Sequence, residues 1–598
     1  MTNLSNLPDE ILCNIFEYLS SFDAIYSFIN LNKRFNCLLI SFKQQIDLTY
    51  LSYDQFLYYM KNILPIINQD ELLYVLKLGN QRTPGQIELF NNLIDDKNCR
   101  SYFNNIDQVI IESPRLNEFI NFVNKFLLSL SELITLTIKI DYVNDPDFPT
   151  WTKFLTNTIL PIATLIKLSI EIPNGLVLSR LPDSIMFPSL MDITLNVTLV
   201  TDLLILIQAT PNLRNLSIRI GWWTSGDQTL VKMIKKMCED HNRTSYLIHL
   251  KKFHLSIDSI LTFQFEHLEQ VLYRIMNNET TYNFNFILRN AISRNNELVT
   301  QLLDGKRWEN LLSSYSSLTQ FDLFIRITDS LKLEQEDFNM NSFQTKYFLT
   351  KKWHFSYFKY SRNDNIIFYS IRCKNEELFD ISIDNLEIVN HFPINYISHL
   401  LIDQTNTKNY KFNLSIFDFI LNQCLNLRQL TLIHIDINLS IIKPFNIPSL
   451  HTLQIEKIRN INLSNVLQLF PLINTLFLSY LTIDDQNRLS NIHRYNRIIE
   501  LSLIDIPSNC MDKVQLFLNQ FPNLYYLYMH ISNQRMDDEY FLRNLKEITE
   551  KFPSLIYLKL KLEKDINSID VWNEVFNNRM KMYLKENVFG GVLKHLWF

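Results

Sequence analysis

One pattern of apolar positions, apolar-x-x-apolar-x-apolar, recurs along most of the chain. Its clearest copies carry a proline two residues before the first apolar position: FPSLMDITL (187–195), TPNLRNLSI (210–218), IPSLHTLQI (447–455), FPLINTLFL (470–478), FPNLYYLYM (521–529) and FPSLIYLKL (552–560). Copies without the proline begin at Leu73, Ile106, Leu133, Leu165, Leu250, Leu318, Ile397, Leu427 and Ile498. Such self-similarity indicates a stack of small structural units.

Each unit has room for one short strand and one helix. Within the runs that start at Leu73 and at Ile397, successive copies lie from 23 residues apart (427 to 450) to 37 residues apart (213 to 250). In one copy Leu216 and Ile218 lie on one strand face and Ser217 on the other. Between strands the period becomes helical, as in the stripe Val514, Phe517, Leu518 and Phe521, which ends at Pro522. So small a unit must stack on its neighbours to bury its apolar face.

The pattern resembles the leucine-rich repeat, L-x-x-L-x-L-x-x-N/C-x-L, over most of the chain. The resemblance implies an α/β solenoid with a parallel concave sheet and outer helices. Where the family places an Asn or Cys that satisfies turn backbone groups, this chain has Ile435, Ile458, Leu481 and Ile506. The departure therefore concerns the family's asparagine ladder and not its parallel sheet.

The repeat pattern lapses between Leu318 and Ile397. There, KKWHFSYFKYSRNDNIIFYSI (351–371) alternates apolar and polar residues around the turn SRND, which predicts a hairpin or irregular repeats. We expect residues 336–376 to interrupt the solenoid. Its first part would cover residues 46–335, and its second part, with a C-terminal cap, residues 377–598.

Residues 1–45 show a helical pattern instead. Pro8 suits the first position of a helix, and Asp9 and Glu10 favour its positive end. One face of this helix carries Ile11, Leu12, Ile15, Phe16 and Leu19. A second helix is predicted from Asp23, with Ile25, Phe28 and Ile29, and a third with Phe35, Leu38, Leu39 and Phe42. Three such helices make a core too small to be stable alone, so a partner or the solenoid must cover part of it.

The order and spacing of the N-terminal residues resemble an F-box over residues 4 to about 44: Leu7-Pro8-Asp9-Glu10-Ile11-Leu12, Ile15-Phe16, Tyr18-Leu19, Asp23 and Leu31-Asn32-Lys33-Arg34-Phe35. Phe35 stands where the family usually has Trp, and Leu31-Asn32 where it favours Val-Cys or Val-Ser. An F-box followed by leucine-rich repeats is similar to the substrate-receptor subunits of SCF-type (Skp adaptor, cullin, F-box) ubiquitin ligases. The resemblance implies binding to a Skp-type adaptor and, through it, to a cullin, while the repeats hold an unknown protein substrate.

The same resemblance assigns the adaptor contacts, or their support, to Leu7, Pro8, Ile11, Leu12, Ile15, Phe16, Leu19 and Phe35. The alternative is that this end is only the N-terminal cap that every repeat array needs. The protein would then be a non-catalytic leucine-rich-repeat interaction scaffold with an F-box-like cap. The ordered Leu-Pro-x-Glu-Ile-Leu and Lys-Arg-Phe elements favour the docking module.

Composition narrows the class of partner and the compartment. A chain of 598 residues exceeds the roughly 250 to 300 residues at which a single core stops growing, so it must divide into domains or consist of repeats. The formal net charge of −5 gives no electrostatic reason to expect nucleic acid or an anionic membrane. Uninterrupted apolar runs are too short to predict a membrane span. The 7 cysteines are odd in number and form no CxxC pair, which favours a reducing compartment, the cytoplasm or the nucleus.

The sequence offers no recognisable catalytic centre. Its 8 glycines form neither G-x-x-x-x-G-K-[ST] nor G-x-G-x-x-G, and neither H-E-x-x-H nor G-x-S-x-G occurs. Cys238 and His241 lack a third ligand or base. We therefore expect a protein that is not an enzyme and has no cofactor or metal. In a ubiquitin ligase, catalysis would belong to other subunits and this chain would supply proximity.

We expect binding on the concave sheet, where outward strand positions of successive repeats form columns. In the last four repeats the columns are Thr475-Glu500-Tyr526-Tyr557, Phe477-Ser502-Tyr528-Lys559 and Ser479-Ile504-His530-Lys561. From these we take as candidate partner-binding residues Phe477, Tyr526, Tyr528, His530, Tyr557 and Lys559. The alternative is that the C-terminal tail, which contains Trp572, Phe576, Tyr583 and Trp597, covers them. Trp222-Trp223 is a second candidate contact, unless these rings pack into the array.

Overall fold

The computed structural model of the chain describes only part of its residues. These are 4–17, 19, 21–29, 31–39, 45–49, 51–67, 73–80, 85–94, 102–141, 148–173, 175–178, 186–224, 232, 246–262, 265–292, 301–328, 340–359, 366–370, 399–403, 427–433, 447, 449–456, 463–479, 495–507, 510–532, 538–552, 555, 557–562, 582–588 and 591–597. The chain divides into two compact units. The first comprises Met1–Tyr357 and Asp364–Ser370, and the second Phe358–Asn363 and Ile371–Phe598.

The first unit begins with three helices and continues as strands that alternate with helices. The opening helices are α1 (Asp9–Glu17), α2 (Ser21–Phe28) and α3 (Lys33–Leu38). The strands are β1 (Gln45–Asp47), β2 (Val75–Gly79), β3 (Gln108–Glu112), β4 (Thr135–Lys139), β5 (Lys167–Glu171), β6 (Asp192–Leu199), β7 (Asn215–Thr224), β8 (Lys252–Thr262), β9 (Asn283–Ile292), β10 (Gln320–Thr328), β11 (Phe355–Lys359) and β12 (Ile366–Ser370). Between them lie α4 (Tyr53–Tyr58), α5 (Gln86–Leu93), α6 (Leu116–Lys125), α7 (Phe148–Phe154), α8 (Val200–Ala209), α9 (Phe265–Ile275), α10 (Gly305–Ser313) and α11 (Lys346–Lys351).

The second unit has the same alternation. Its strands are β13 (His399–Asp403), β14 (Gln429–Ile433), β15 (Thr452–Glu456), β16 (Thr475–Ser479), β17 (Glu500–Pro507), β18 (Tyr526–Ser532), β19 (Tyr557–Leu562), β20 (Met582–Val588) and β21 (Gly591–Trp597). Its helices are α12 (Leu463–Leu469), α13 (Met511–Leu518) and α14 (Asp538–Lys551).

Each unit contains one sheet that is parallel over most of its width. In the first sheet, β1 to β10 follow one another in chain order and pair in parallel, and β12 and then β11 complete it. In the second, β13 to β19 pair in parallel, followed by β21 and β20. Parallel neighbours with helices in the connections confirm the predicted α/β solenoid of leucine-rich-repeat type.

The repeat pattern determines which side of each strand is buried. Leu76 and Leu78 of β2 are fully buried, whereas Val75 and Lys77 between them are half-buried. The first apolar position of the repeat, such as Leu73, is buried as well and lies just before the strand. A single apolar core therefore runs through the first unit on the helix side of its sheet. We call the opposite side of each sheet, formed by the alternate strand positions, the open face.

Individual polar side chains hold the turn after β2. The Gln86 amide donates to the Leu48 carbonyl at 2.6 Å and accepts from the Gly79 N–H at 3.0 Å. The Asn80 amide donates to the Glu118 carboxylate at 2.6 Å. Burial raises the pKa of Glu118 above its ordinary value, and this hydrogen bond opposes that rise.

A buried carboxylate holds a later turn in the same way. Asp202, fully buried in α8, accepts from the N–H groups of Leu178 at 2.7 Å and Leu199 at 3.0 Å. Among the positions that replace the family's Asn, Ile506 is buried in β17, and Ile435, Ile458 and Leu481 lie outside the described residues. In the described repeats of the first unit, side chains at several sequence positions thus satisfy turn groups that the family satisfies with one repeated residue.

The region predicted to interrupt the solenoid contains two adjacent strands at the end of the first sheet. β12 pairs antiparallel with β10, and β11 is the next strand out. Phe343 packs on Phe368 at 4.6 Å between ring centroids and on Phe355 at 5.0 Å. Residues 360–365 lie outside the described part, as does Ile397, but Leu400 and Ile402 of the same repeat copy lie in β13. The domain limits drawn from the sequence stay predictions.

Replacing Asp202 tests the contribution of a turn carboxylate. We expect Asp202→Ala to lower the free energy of unfolding of the first unit by about 2 kcal/mol or more, because two buried N–H groups lose their acceptor. Hydrogen exchange followed by mass spectrometry should show faster exchange at Leu178 and Leu199. Glu132→Ala, which removes an exposed carboxylate, is the control. Unchanged exchange at both amides in Asp202→Ala would contradict the assignment.

Candidate protein-docking surfaces

The first candidate surface is the N-terminal helical domain. Helix α1 begins at Asp9, directly after Pro8, and α3 is capped by Asn32, whose side chain accepts from the Phe35 N–H at 3.0 Å. Arg34 joins the beginnings of these two helices. Its guanidinium lies 2.6 Å from the Asp9 carboxylate and also donates to the Leu7 carbonyl. The residues before α1 and before α3 are therefore held at the same end of the domain.

Three of the eight predicted adaptor contacts form the interior of this domain. Leu12, Phe16 and Phe35 are each at most 3% exposed and pack together with Ala24 and Leu39. The rings lie close, with Phe16 and Phe35 centroids 6.3 Å apart. In the domain as it stands, these three side chains support the surface and do not form it.

The remaining predicted contacts are at least partly accessible. Ile11 is 44% exposed, Pro8 is exposed, and Leu7, Ile15 and Leu19 are half-buried. The structure adds two exposed apolar residues that the sequence did not single out, Leu31 at 59% and Leu4 at 38%. Leu31 precedes the Asn32 cap and so lies at the end of the domain that Arg34 holds together. The sequence could have indicated Leu31, because it belongs to the F-box-like segment Leu31-Asn32-Lys33-Arg34-Phe35.

Helix α2 is shared between the helical domain and the solenoid. Its residues Ala24 and Phe28 pack in the core of the helical domain, whereas Phe22 and Ile25 belong to the core of the first sheet. Phe22 lies 6.0 Å, between ring centroids, from the buried Tyr59 that follows α4. The solenoid thus covers part of the small helical core, as its size required, and the helices cover the first repeat.

The second candidate surface is the open face of the second sheet. Strand register confirms the first two predicted columns, since Thr475 pairs with Glu500, Glu500 with Tyr526 and Tyr526 with Tyr557. In the second column Phe477 pairs with Ser502, Ser502 with Tyr528 and Tyr528 with Lys559.

The third predicted column is interrupted between β17 and β18, although Ser479 pairs with Ile504 and His530 with Lys561. The register of β17 and β18 shifts between Leu503 and Ile506, and Asp505 has a left-handed backbone with a φ of 59°. Two residues of β17, Ile504 and Asp505, therefore stand opposite the single residue His530 of β18. Asp505 is exposed and its carboxylate lies 3.3 Å from Nδ1 of His530.

The predicted partner-binding residues lie together on this face, with unequal access. Tyr526 and Tyr557 pack edge to face at 6.4 Å between centroids, and the Lys559 ammonium lies 5.7 Å from the Tyr528 ring. Phe477, Tyr526, Tyr528, His530 and Lys559 are half-buried, but Tyr557 is only 6% exposed. Burial, with a further effect of the Asp505 charge, raises the pKa of the Tyr528 hydroxyl, so this hydroxyl stays a hydrogen-bond donor at neutral pH.

The described part of the C-terminal tail extends this sheet at its edge. β21 pairs antiparallel with β19, which places Trp597 beside Tyr557 and His595 beside Lys559. β20, which contains Tyr583, pairs with β21. These two strands therefore occupy the position of further repeats in the sheet. Trp572 and Phe576 lie outside the described residues.

The tryptophan pair in β7 divides between core and surface. Trp223 is fully buried in the core of the first unit, whereas Trp222 is 47% exposed. Of the two interpretations of this pair, packing into the array is confirmed for Trp223 only. Trp222 stays a candidate contact.

Within the described residues, no cluster of three His, Cys, Asp or Glu side chains has the geometry of a metal site, and no helix is long and apolar enough to cross a bilayer. Cys238 and His241 lie outside that part of the chain.

Comparison with known proteins bears on the first surface. A family model of the F-box domain matches residues 4–44, so an F-box is found at the helical domain. No curated protein matches the sequence. Among solved structures, a TLR13–ssRNA13 complex matches with 12% sequence identity and a TM-score of 0.22, over 83% of this chain and 61% of that chain. This chain thus spans about three fifths of that protein, and so low a TM-score gives no basis for transferring function.

Removing Phe22 tests whether α2 couples the F-box to the solenoid. We expect Phe22→Ala to cost about 3 kcal/mol, because the ring is 5% exposed and a cavity would remain beside Tyr59. Hydrogen exchange should rise in both α2 and α4. Ser27→Ala, at an exposed position of the same helix, is the control and should leave exchange unchanged. If the rise were confined to α2, the coupling would be disproved.

Proposed function

We propose that this protein is a substrate-recognition adaptor of an SCF-type ubiquitin ligase. Its F-box would dock to a Skp-type adaptor and, through it, to a cullin, while its repeats hold a protein substrate. The observation that carries this proposal is the F-box at residues 4–44, whose outer surface presents Ile11 and Leu31 to solvent. Such a role places the protein in the cytoplasm or the nucleus.

The division between interior and exposed side chains supports docking by the F-box. Leu12, Phe16 and Phe35 satisfy the needs of the helical core, and Phe22 and Ile25 serve the solenoid. Exposed aliphatic side chains stabilise neither core, and each would contribute about 1.5 to 3 kcal/mol if a partner buried it fully. Leu7, Pro8, Ile15 and Leu19 surround Ile11 along the same helix and its approach, so we assign them to the rim of the adaptor interface.

The coupling of F-box and solenoid suits the delivery of a substrate. A ubiquitin ligase accelerates transfer by holding substrate and donor close together, which is a proximity effect. Because α2 contributes to both cores, the F-box and the repeats of the first unit form one packed body. Catalysis would come from other subunits, and this chain would contribute positioning.

The alternative function is a leucine-rich-repeat scaffold in which the helical domain is only a cap. The sharing of α2 favours this reading, since covering the first repeat is what a cap does. A cap does not require Ile11 and Leu31 to be apolar, however, and their exposure is what distinguishes the two proposals.

Adaptor binding provides the test between them. We expect wild-type protein to bind a purified Skp-type adaptor and Ile11→Asp/Leu31→Asp to bind at least 100-fold more weakly, because about 3 kcal/mol of apolar burial is lost and two charges enter the interface. Binding is measured by calorimetry with the full chain. Leu349→Asp, at a 53% exposed leucine of α11, is the matched control. If the wild type does not bind, or the double variant binds equally well, the cap hypothesis holds.

For the substrate we propose the open face of the second sheet, with Phe477, Tyr526, Tyr528, His530, Tyr557 and Lys559 as contacts. Aromatic side chains supply much of the energy of protein interfaces, and here they stand in adjacent columns. Because Tyr557 is almost fully buried, it would act by positioning Tyr526. The contact of His530 with the Asp505 carboxylate limits this surface on one side.

Substitution of Tyr528 tests this surface. We expect Tyr528→Ala to reduce recovery of the bound substrate at least tenfold, since loss of a central aromatic contact commonly costs about 2 kcal/mol of binding free energy. Recovery is measured by quantitative mass spectrometry of complexes purified with the full chain. Tyr525→Ala, at a 39% exposed neighbour, should leave the set of partners unchanged. Adaptor recovery serves as the internal standard. Equal loss in both variants would contradict the assignment.

A further inference from the structure

The open face of the first sheet carries three arginines on strands β7 to β10: Arg219, Arg289 and Arg326. Register places Arg219 beside Ser256 of β8, and Ser256 beside Ile287 of β9. Arg289 follows Ile287 by two residues, and Arg326 follows Phe324, the partner of Ile287, by two residues, at the point where the register of β9 and β10 shifts. By alternation the three arginines therefore belong to the same side of the sheet, on β7, β9 and β10.

Positive charge exceeds negative charge on this part of the face. Four cations, Lys252, Arg219, Arg289 and Arg326, stand against two carboxylates, Asp258 and Asp322, which leaves two positive charges in excess. Asp258 already serves two arginines. Both of its oxygens lie 2.8 Å from Nε of Arg219, and one lies 3.5 Å from Nε of Arg289.

Several polar atoms here lack a partner within the described residues. Nε of Arg326 is buried and makes no hydrogen bond there, although the side chain as a whole is half-buried and can reach a ligand. The hydroxyls of Ser256 and Ser259, residues 2% and 8% exposed, are buried without a hydrogen bond in the same part of the chain. Unsatisfied buried donors are uncommon in proteins, and of these three only that of Arg326 belongs to a side chain that reaches solvent.

An exposed aromatic ring lies beside these groups. Trp222 follows Arg219 by three residues, and register places it beside Ser259, the residue after Asp258. It is 47% exposed, while the adjacent Trp223 is fixed in the core. Tryptophan and arginine are the residue types most enriched among the energetically dominant contacts of protein interfaces.

We propose that the surface formed by Trp222, Arg219, Arg289 and Arg326 binds an acidic peptide segment of a partner protein. A carboxylate of the segment accepts from the Arg326 guanidinium, and an apolar side chain of the segment packs on Trp222. The inference shares with the proposed function the premise that the repeats hold a protein, but it does not depend on adaptor docking.

Charge complementarity selects this occupant. The whole chain carries a slight net negative charge of −5, so a local excess of positive charge distinguishes this region and determines where an acidic segment binds. The same net charge opposes a long polyanion such as RNA, which would extend far beyond the strands that carry the arginines. A short acidic segment with an apolar residue matches both features of the surface.

Fluorescence anisotropy with the full-length protein and defined peptides provides the test. The probe is a short labelled peptide in which Glu alternates with Ser around a central Leu. The first comparator is the same peptide with Gln in place of each Glu, and the second is that Gln peptide with phosphoserine in place of each Ser. The third comparator is an oligouridylate of equal length. We expect the Glu peptide to bind most tightly and to weaken as salt is added. Arg326→Gln should reduce its affinity about tenfold, the usual effect of one charge-assisted hydrogen bond.

Further variants separate charge, geometry and folding. Arg326→Lys keeps the charge without the planar fork and should bind between wild type and Arg326→Gln. Trp222→Ala should weaken binding of the Glu peptide but not its dependence on salt. Arg214→Gln, which removes an exposed arginine just before β7, is the control and should bind as wild type does.

The proposal is overturned if the Gln peptide binds as well as the Glu peptide, if Arg326→Gln and Arg214→Gln behave alike, or if only the phosphopeptide or the oligouridylate binds. Ile11→Asp/Leu31→Asp, the F-box variant, should retain full peptide binding. A loss of adaptor binding with intact peptide binding, or the reverse, therefore tells the two proposals apart.

Discussion

The structure depends on one constraint: a strand and helix of this size cannot bury their apolar side chains unless another repeat lies beside them. In the first unit the solution is a single core that extends from Phe22 in α2 to Phe368 in β12. Every repeat is thereby stabilised by its neighbours, and the ends of the array need covering of a different kind. The helical domain that covers the first repeat is also the first candidate docking surface.

Both sheets end in antiparallel strands. β12 and β11 complete the first sheet, and β21 and β20 complete the second. An exposed parallel edge would offer unpaired N–H and C=O groups to any other strand, and these pairs move that edge away from the repeats. At the start of the first sheet, α2 covers the apolar side chains of the first repeat. Because the same helix builds the F-box core, the F-box is part of the fold of the first unit.

Burial also distinguishes the residues that support a candidate surface from those that a partner could contact. The helical pattern at residues 11–19 grouped Ile11 with Leu12 and Phe16, since all lie on one broad apolar face. Packing divides this face, because α2 and α3 cover Leu12 and Phe16 and leave Ile11 in solvent. In the second sheet, alternation predicted the first two columns of the open face. It did not predict the break in the third column, because the register shift between Leu503 and Ile506 adds a residue to β17 without changing the apolar pattern.

The sequence by itself determined the repeat, the α/β class, the parallel order of the strands and the F-box pattern, because these depend on local periodicity and on the spacing of apolar residues. The tertiary structure decided which apolar residues are exposed, since that depends on neighbours distant in the chain. It also decided what holds the turns, where Gln86, Asn80 and Asp202 act in place of a repeated asparagine. Arg219, Arg289 and Arg326 come together for the same reason: strands far apart in sequence stand side by side only after the repeats have stacked.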